Sequence, residues 1–319
     1  MVLSLVFACY TYFTNITGRY ELTESESRFF DRDGMIFGHV LAYLRDGVVA
    51  VGYERDVNML GRLKREFDYY RIELFEEHAL ILAVGGNNGA DDFQSTTVYD
   101  PSTDSWTESR PMLEARTDAG ICVLDGDVYV SGGFSSSGSN VTSSVERYSV
   151  WNNTWSLVAV MPTAICGHGM CSVNGSIYVI GGYDGQDTTD YLRQVLKYDT
   201  VSWSDMAPMP VARGYAAVCA VDNAIYVIGG TDNDDETSME VYKYVVDTNV
   251  WSTVASMPSA RANHRACAFK GLIYVVGGTA DMDLNSMLQY DTSSDTWYEM
   301  TPMLQARSNF SMSIVDSCI

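Results

Sequence analysis

Basic residues are scarce in this chain. Its 319 residues include 20 Lys and Arg against 41 Asp and Glu, which gives a formal net charge of −21. The imbalance is concentrated in residues 79–319, which carry 28 of the acidic and 11 of the basic residues. Such a surface repels the phosphate backbone of a nucleic acid and attracts a cationic protein surface. We therefore expect a protein partner with a basic segment and no nucleic-acid partner.

Long apolar runs and secretion signals are also missing. The apolar stretch from Met1 to Phe13 is too short to cross a bilayer, and it lacks the basic residues that open a signal peptide. Five Asn-x-Ser/Thr sequons occur, at Asn15, Asn140, Asn152, Asn174 and Asn309. In a chain this rich in Ser and Thr such matches say little for secretion. We expect a cytoplasmic protein without membrane association.

Catalytic motifs are absent as well. The sequence holds no phosphate-binding loop, HExxH or GxSxG motif, and only four histidines. His168 and His264 stand at equivalent points of two non-adjacent repeats, but no Cys–His–carboxylate group converges with either. The sequence therefore predicts a protein that is not an enzyme and needs no cofactor or metal.

One sequence unit recurs five times: an apolar strand ending in Gly-Gly, then a Tyr and then a Trp. A period near fifty residues with four short strands per unit is typical of a β-propeller blade, and the repeats resemble those of the kelch family. The pairs begin at Gly85, Gly132, Gly181, Gly229 and Gly277, at intervals of 47, 49, 48 and 48 residues. The aromatic residues are Tyr99, Tyr148, Tyr198, Tyr244 and Tyr290, with Trp106, Trp155, Trp203, Trp251 and Trp297.

The ends of the repeat region predict how the ring closes. We call the strands of a blade a to d in chain order. The first Gly pair has a strand b but no strand a before it, whereas the last Trp is followed by residues 308–316, which align without gaps with residues 117–125. We expect a mainly β fold, a five-bladed kelch propeller over residues 77–319 closed by its C-terminal strand. Kelch propellers usually have six blades, so the loss of one blade stays open.

Cysteines recur at one position of the repeat. Those ten residues before a Gly pair are Cys122, Cys171, Cys219 and Cys267. Equivalent positions on successive blades project as a ring, which gives no reason to expect bonded pairs. Free buried thiols in a reducing compartment are the favoured interpretation.

Residues 18–75 do not fit the repeat. Gly18-Arg-Tyr-Glu, the core Asp31-Arg-Asp-Gly34 and the helical pattern that ends at Arg45 resemble the potassium-channel tetramerisation type of BTB domain. The resemblance implies a small α/β domain over residues 1–76 that self-associates. No apolar-Gly-Gly signature precedes Gly18, so we expect the family's opening β-hairpin either to be missing or to be replaced by a divergent segment from Met1 to Phe13. The residues assigned to oligomerisation are Asp31, Arg32, Asp33 and Arg45.

Propellers bind partners through the loops of one face. The resemblance to kelch proteins implies that the b–c loops and the d–a loops share that face. Three interpretations of the acidic b–c loops stay open: a solvated surface, carboxylates that recruit a basic segment, and a calcium site at residues 232–236. Charge reversal at three of these residues is expected to weaken capture and to leave stability nearly unchanged: Asp232, Asp234 and Asp235. The partner-binding candidates in these loops are Asp184, Asp187, Asp232, Asp234, Asp235 and Asp281.

The d–a loops carry two registers of interest. The first is Arg116, Ile165, Arg213, Arg261 and Arg307, and an Arg that recurs in phase is more often part of the scaffold than a ligand contact. The second lies two residues further on and differs between blades. Its candidates for partner binding are Asp118, Tyr215, Asn263 and Asn309, with Gly167 in the third repeat. The best-known kelch ubiquitin-ligase adaptor holds an acidic peptide with Arg at such positions, so this face is expected to prefer a basic ligand.

These features favour an adaptor that captures a protein with its propeller and forms a homo-oligomer through its BTB-like domain. By family resemblance, that domain is also a candidate for docking a cullin-type ubiquitin ligase. Two alternatives stay open: an oligomeric or cytoskeleton-binding scaffold without a ligase role, and a secreted kelch enzyme or glycan binder.

Overall fold

The computed structural model describes residues 81–87, 91–100, 105–135, 140–150, 152–185, 190–310 and 312. The predicted BTB-like domain, with its four oligomerisation residues, and Asp187 lie outside these residues. Within them, no helix has the length and apolar character needed to span a membrane.

The described residues form a mainly β fold of five blades, as the repeats predict. Blade one contains β1 (Ile81–Val84), β2 (Thr96–Asp100) and β3 (Ser105–Glu108). Blade two contains β4 (Gly120–Leu124), β5 (Asp127–Ser131), β8 (Ser144–Ser149) and β9 (Thr154–Val160), with a small hairpin of β6 (Phe134–Ser135) and β7 (Asn140–Val141) in its b–c loop.

The last three blades each have four strands. Blade three contains β10 (Gly169–Val173), β11 (Ser176–Ile180), β12 (Val195–Tyr198) and β13 (Trp203–Asp205). Blade four contains β14 (Ala217–Val221), β15 (Ala224–Ile228), β16 (Val241–Val245) and β17 (Val250–Val254). Blade five contains β18 (Arg265–Phe269), β19 (Leu272–Val276), β20 (Met287–Asp291) and β21 (Thr296–Met300).

Each blade is an antiparallel sheet whose strands pair in chain order. The a strands β4, β10, β14 and β18 contact one another in succession, so they form the inner wall of the propeller. Blade one shows strands b, c and d, and the strand expected to complete it falls mainly on residues outside the described part. That closure stays a prediction, although Asn309 already follows the inter-blade pattern: its N–H donates to the carbonyl of Asn263 at 3.0 Å.

Tight turns join strands a and b. The first turn residues have φ near +50°: Asp125, Asn174, Asp222 and Lys270. The sequence predicts good hairpin turns where Asn, Asp or Gly supplies this conformation. Lys270 adopts it too, with Gly271 beside it, so the fourth turn is built like the others despite its less suitable residue.

The Gly pairs are needed because two blades approach closely there. A Cβ on Gly132 would lie 2.1 Å from the carbonyl oxygen of Ile165, and the residue has a φ of +58° that other residues adopt at a cost. The second Gly of each pair donates its N–H to the carbonyl of a residue in the d–a loop that leads to the next strand a. These bonds, of 2.8–3.0 Å, are Gly86 to Arg116, Gly133 to Ile165, Gly182 to Arg213, Gly230 to Arg261 and Gly278 to Arg307.

The repeated Tyr and Trp connect blades through their rings. In blade two, Tyr148 and Trp155 pack with centroids 5.1 Å apart. Trp155 Nε1 then donates to Thr96 Oγ1 (3.1 Å) and to the carbonyl of Arg110 (2.9 Å), both in blade one. In blade two, large buried rings thus fill the space next to blade one.

Candidate functional site

The b–c loops and the d–a loops lie on one face, as the family resemblance implies. In four blades, the residue three positions before strand a pairs by backbone with the residue that follows the Gly pair and opens the b–c loop. These pairs are Thr117–Phe134, Cys166–Tyr183, Gly214–Thr231 and Ala262–Thr279. We call this surface the loop face.

The structure brings together the d–a candidates on the loop face. We call Asp118, Gly167, Tyr215, Asn263 and Asn309 the mouth residues. The last four of them each donate a backbone N–H to the carbonyl of the mouth residue one blade earlier. The four bonds are Gly167 to Asp118 (2.8 Å), Tyr215 to Gly167 (2.8 Å), Asn263 to Tyr215 (3.0 Å) and Asn309 to Asn263 (3.0 Å).

All five mouth residues have left-handed backbone, with φ between 51° and 62°. Gly, Asn and Asp adopt this conformation readily, because they lack a bulky side chain or can bond to their own backbone. Tyr215 is the exception, and a bulky residue with positive φ is an outlier of the kind found at functional sites. The sequence shows that this position varies but not that its backbone is constrained.

Tyr215 belongs to a cluster of three half-buried tyrosines. Its ring packs edge-on against Tyr191, with centroids 6.1 Å apart and planes at 83°. Tyr183 pairs by backbone with Tyr191 and with Cys166. Burial raises the pKa of Tyr215, and the charge of Asp118 raises it further, so the phenol stays neutral. Sequence reasoning missed Tyr183 and Tyr191, which stand in a b–c loop at positions whose residue type differs between blades.

A cation also lies close to Asp118. Burial raises the pKa of Asp118, while the guanidinium of Arg265 opposes that increase. Arg265 opens strand β18, where the earlier blades have Gly120, Gly169 and Ala217. That comparison of equivalent positions is the signal that could have identified Arg265 from the sequence.

The acidic b–c candidates differ in their surroundings. Asp234, Asp235 and Asp281 are exposed, and Asp184 is half-buried. Asp232 organises its loop, because its Oδ1 accepts from the backbone N–H groups of Asp234 (3.1 Å) and Glu236 (3.2 Å).

Asp232 also contacts the scaffold. Its Oδ2 lies 3.5 Å from Nη1 of buried Arg213. On this geometry we expect reversal of the charge of Asp232 to lower stability, since the change would disrupt a loop and an ion pair. For Asp234 nearly unchanged stability stays a prediction, whereas Lys at residue 235 would have to adopt the φ of 59° found there.

The in-phase Arg residues act as scaffold. Arg116 is buried, and its guanidinium donates to the carbonyl of Gly132 (2.9 Å) and to Glu146 within blade two. Its own carbonyl accepts from Gly86 of blade one. Arg116, Arg213 and Arg261 therefore link two blades and are buried away from a ligand. Arg307 also accepts a backbone hydrogen bond from the previous blade, but its side chain is exposed.

No group of three or more His, Cys, Asp or Glu is placed to hold a metal ion in the part of the chain that the structure describes. The calcium interpretation of residues 232–236 therefore gains no support. His168 and His264 are buried, and burial lowers the pKa of His168 to about 4 and that of His264 to about 3. His168 Nε2 lies 2.8 Å from Ser131 Oγ, a contact within the scaffold.

Comparison with known proteins agrees with this architecture. Residues 118–319 match the family described as the KLHDC2/KLHL20/DRC7 Kelch-repeats domain, and residues 7–78 match the BTB/POZ domain. The predicted division of the chain at residues 76 and 77 stays a prediction. The solved structure titled "Structure of YjhT" superposes with a TM-score of 0.61 and 17% identity, over 71% of this chain and 85% of that one, which shows the fold alone.

Curated relatives match over short segments. Kelch-like protein 23 of Mus musculus is 40% identical over 53 residues, which is 17% of this chain and 10% of that protein. Kelch-like protein 26 of Danio rerio is 40% identical over 58 residues, 18% of this chain and 10% of the relative. The match thus spans only a tenth of each relative's length. Since the kelch match alone covers well over half of the chain, the protein belongs to the kelch-repeat family described as the KLHDC2/KLHL20/DRC7 type, and it also carries a BTB/POZ domain.

Proposed function

We propose that this protein is an adaptor whose propeller captures a protein partner through a basic segment and whose BTB domain joins copies of the chain. The observation that carries the proposal is the loop face, which holds carboxylates from several blades together with the mouth residues. A surface of this charge attracts a cationic partner and speeds its encounter. Two protein-interaction domains in one chain support the adaptor role.

The mechanism is proximity without bond chemistry by this chain. Several propellers held in one oligomer raise the effective concentration of binding sites, so a partner with repeated basic segments binds with avidity. We place this adaptor in the cytoplasm, where the thiols of Cys171 and Cys219, free and buried in the structure, stay reduced.

The capture step can be tested with a fluorescein-labelled peptide of alternating Lys and Ser. The full chain is expected to bind it, with an affinity that falls as salt rises. Combining Asp234→Lys with Asp235→Asn should weaken binding, because both residues are exposed on the loop face. Asn at residue 235 keeps a residue that tolerates the φ of 59° found there.

A matched control changes the same charge on the opposite face. Asp125 and Asp222 lie in a–b turns, and Lys270 shows that Lys is accepted at the same turn position. Asp222→Lys with Asp125→Asn should therefore leave peptide binding unchanged apart from a small long-range effect. Equal loss in both variants would mean that only net charge matters, and it would overturn the loop face as the capture site.

The oligomer and the ligase are tested on the full chain. Light scattering should give a mass several times that of one chain, and Asp33→Lys combined with Arg45→Glu should lower it. A monomeric wild-type protein would contradict the BTB half of the proposal. Docking of a cullin scaffold is the finer step: co-precipitation of a purified cullin supports it, and an oligomer that binds none is a scaffold without a ligase role.

A further inference from the structure

Three tyrosines stand on the loop face where the repeat does not require aromatic residues. Tyr183 and Tyr191 pair by backbone in blade three, and the same bridge in blade four joins Thr231 and Thr237. Blade five has Thr279 and Asp283 there, and blade one has Asn87 and Asp92. Blade two has Phe134 and Val141 there. Small polar residues therefore satisfy this part of the scaffold in three blades, so a pair of tyrosines is not required and needs another explanation.

Tyr215, one of the mouth residues, is also an aromatic residue that the repeat does not require. It stands where the neighbouring blades have Gly167 and Asn263, and it holds a φ of 54° that costs a bulky residue about 1–2 kcal/mol. Strain kept at one position of a repeat is a reason to look for function there.

The surrounding structure fixes two of these rings. A Cβ on Gly167 would lie 2.9 Å from the ring of Tyr215, and one on Gly214 would lie 2.3 Å from the ring of Tyr191. The two rings therefore rest on glycines that leave room for them. The backbone N–H of Tyr191 donates to Asn233 Oδ1 at 2.6 Å, which ties this loop of blade three to the acidic loop of blade four.

Negative charge surrounds the tyrosines. Asp118 acts on Tyr215, while Asp235 and Asp232 act on Tyr191, and in each case the carboxylate charge adds to burial in raising the pKa of the phenol. Asp184 follows Tyr183 in the chain. Two cations offset part of this charge: Arg213 faces Asp232, and Arg265 acts on Asp118. Four carboxylates against two guanidinium groups leave an excess of negative charge beside the aromatic rings.

We infer that Tyr183, Tyr191 and Tyr215 form a pocket that binds the side-chain cation of one lysine in the captured segment. The inference rests on the proposed function, which it deepens by naming the residue recognised. A cation over the face of a tyrosine is attracted by the ring quadrupole, and neighbouring carboxylates add Coulomb attraction. Because Tyr191 and Tyr215 pack edge to face, their ring faces lie nearly perpendicular to each other. Two perpendicular faces suit the round ammonium group of lysine better than the planar guanidinium group of arginine. Methylated lysine is a stronger ligand of the same class, because its ammonium loses less hydration.

The probes are short, capped peptides with one central residue: lysine, trimethyl-lysine, or the uncharged analogue in which carbon replaces the trimethylated nitrogen. Binding to the full chain is followed by ligand-observed NMR titration. The trimethyl-lysine peptide should bind about five- to thirty-fold more tightly than its carbon analogue, which is the range expected for a cation–π contact. Equal binding of the two would show a hydrophobic pocket and overturn the inference.

The test variants copy residues that other blades already use. Tyr191→Thr reproduces Thr237, and Tyr215→Asn reproduces Asn263. Each is expected to weaken binding of the lysine and trimethyl-lysine peptides by five-fold or more while leaving the folded state intact by circular dichroism. Tyr298→Thr, at an exposed site on β21, is the matched control and should bind both peptides like the wild type.

Failure of this inference is separable from failure of the capture proposal. If the Lys-Ser peptide binds in an Asp234- and Asp235-dependent way but the tyrosine variants bind every probe as well as the wild type, the pocket is wrong and the acidic loop face stands. If the wild type binds neither the Lys-Ser peptide nor the single-lysine probes, both are wrong.

Discussion

Arg116 and Glu146 form a salt bridge in which both side chains are only 1% exposed. Blade three has Ile165 and Leu196 at the equivalent positions, and these two are buried in one apolar cluster. The same scaffold position is thus filled by an ion pair in one blade and by an apolar pair in another. A buried ion pair can be replaced by a well-packed apolar pair of similar volume at little cost in stability. Removing only one partner is costly, because the other charge stays buried without a counter-charge.

The first prediction exchanges the pair. Arg116→Ile alone should lower the free energy of unfolding by about 3–5 kcal/mol, because it leaves the buried carboxylate of Glu146 without its cation. Glu146→Leu alone should cost less, because Arg116 keeps an ion pair with the half-exposed Glu114 at 3.1 Å. The double variant should recover most of that loss, since it recreates the pair of blade three. Urea denaturation of the three variants measures the coupling. Additive losses in the double variant would show that the apolar pair cannot fit blade two.

The second prediction concerns Gly132. Gly132→Ala should lower the free energy of unfolding by several kcal/mol, roughly the cost of overpacking plus an unfavourable φ, because its Cβ would overlap the carbonyl oxygen of Ile165. Gly126→Ala is the control: its φ of +82° is also positive, but nothing lies within 4 Å of the added Cβ. The control should cost only about 1 kcal/mol. Thermal unfolding that ranks the two variants equally would refute close inter-blade packing as the reason for the pair.

The third prediction is a pH dependence. Burial, together with the charges of Arg261 and Arg265, lowers the pKa of His264 to about 3, below the value of about 6.5 in an unfolded chain. Between these two pKa values His264 is protonated in the unfolded chain and neutral in the folded one. The free energy of unfolding therefore falls as pH drops from about 6.5 towards 3. One histidine contributes up to about 1.4 kcal/mol per pH unit.

His264→Gln removes that contribution. The variant is less stable than the wild type at pH 7 because its side chain fits differently, but its stability should change less between pH 7 and pH 5. Urea denaturation at the two pH values measures the difference in slope. Parallel curves for the two proteins would show that His264 is protonated in the folded state.

The fourth prediction compares two tryptophans. Trp155→Phe should cost about 1–3 kcal/mol, because it removes the donor for Thr96 and for the carbonyl of Arg110. Trp203 has a buried Nε1 without a hydrogen-bond partner, so Trp203→Phe should be neutral or stabilising. Thermal unfolding separates the two, and a larger loss for Trp203 would contradict the inter-blade hydrogen bond as the source of the effect.

The sequence predicted the features that repeat. The near-equal spacing of the Gly pairs from Gly85 to Gly277 was enough to predict five blades. The recurrence of Arg at the position of Arg116 was enough to assign that residue to the scaffold. Recurrence cannot identify what one blade alone possesses. Tyr191 meets Tyr215 only because two blades stand side by side at a particular angle, and that distance is not encoded in the spacing of either repeat.

The role of Asp232 shows a second limit. In the sequence it is one carboxylate among several in an acidic loop, equivalent to Asp234 and Asp235. In the structure it is the residue around which the loop turns, and it contacts Arg213 as well. Which carboxylate is free for a partner depends on hydrogen bonds to the backbone, and composition does not reveal those.

The left-handed backbone of the mouth residues restricts how this surface can diversify. Asp118, Asn263 and Asn309 have short polar side chains, and Gly167 has none, because few amino acids hold that conformation without strain. A change of partner is therefore easier to reach through the b–c loops, whose lengths and residues are not subject to the same restriction. The mouth residues would then form a mostly polar surface that stays the same from one partner to another, and the b–c loops would determine which protein binds.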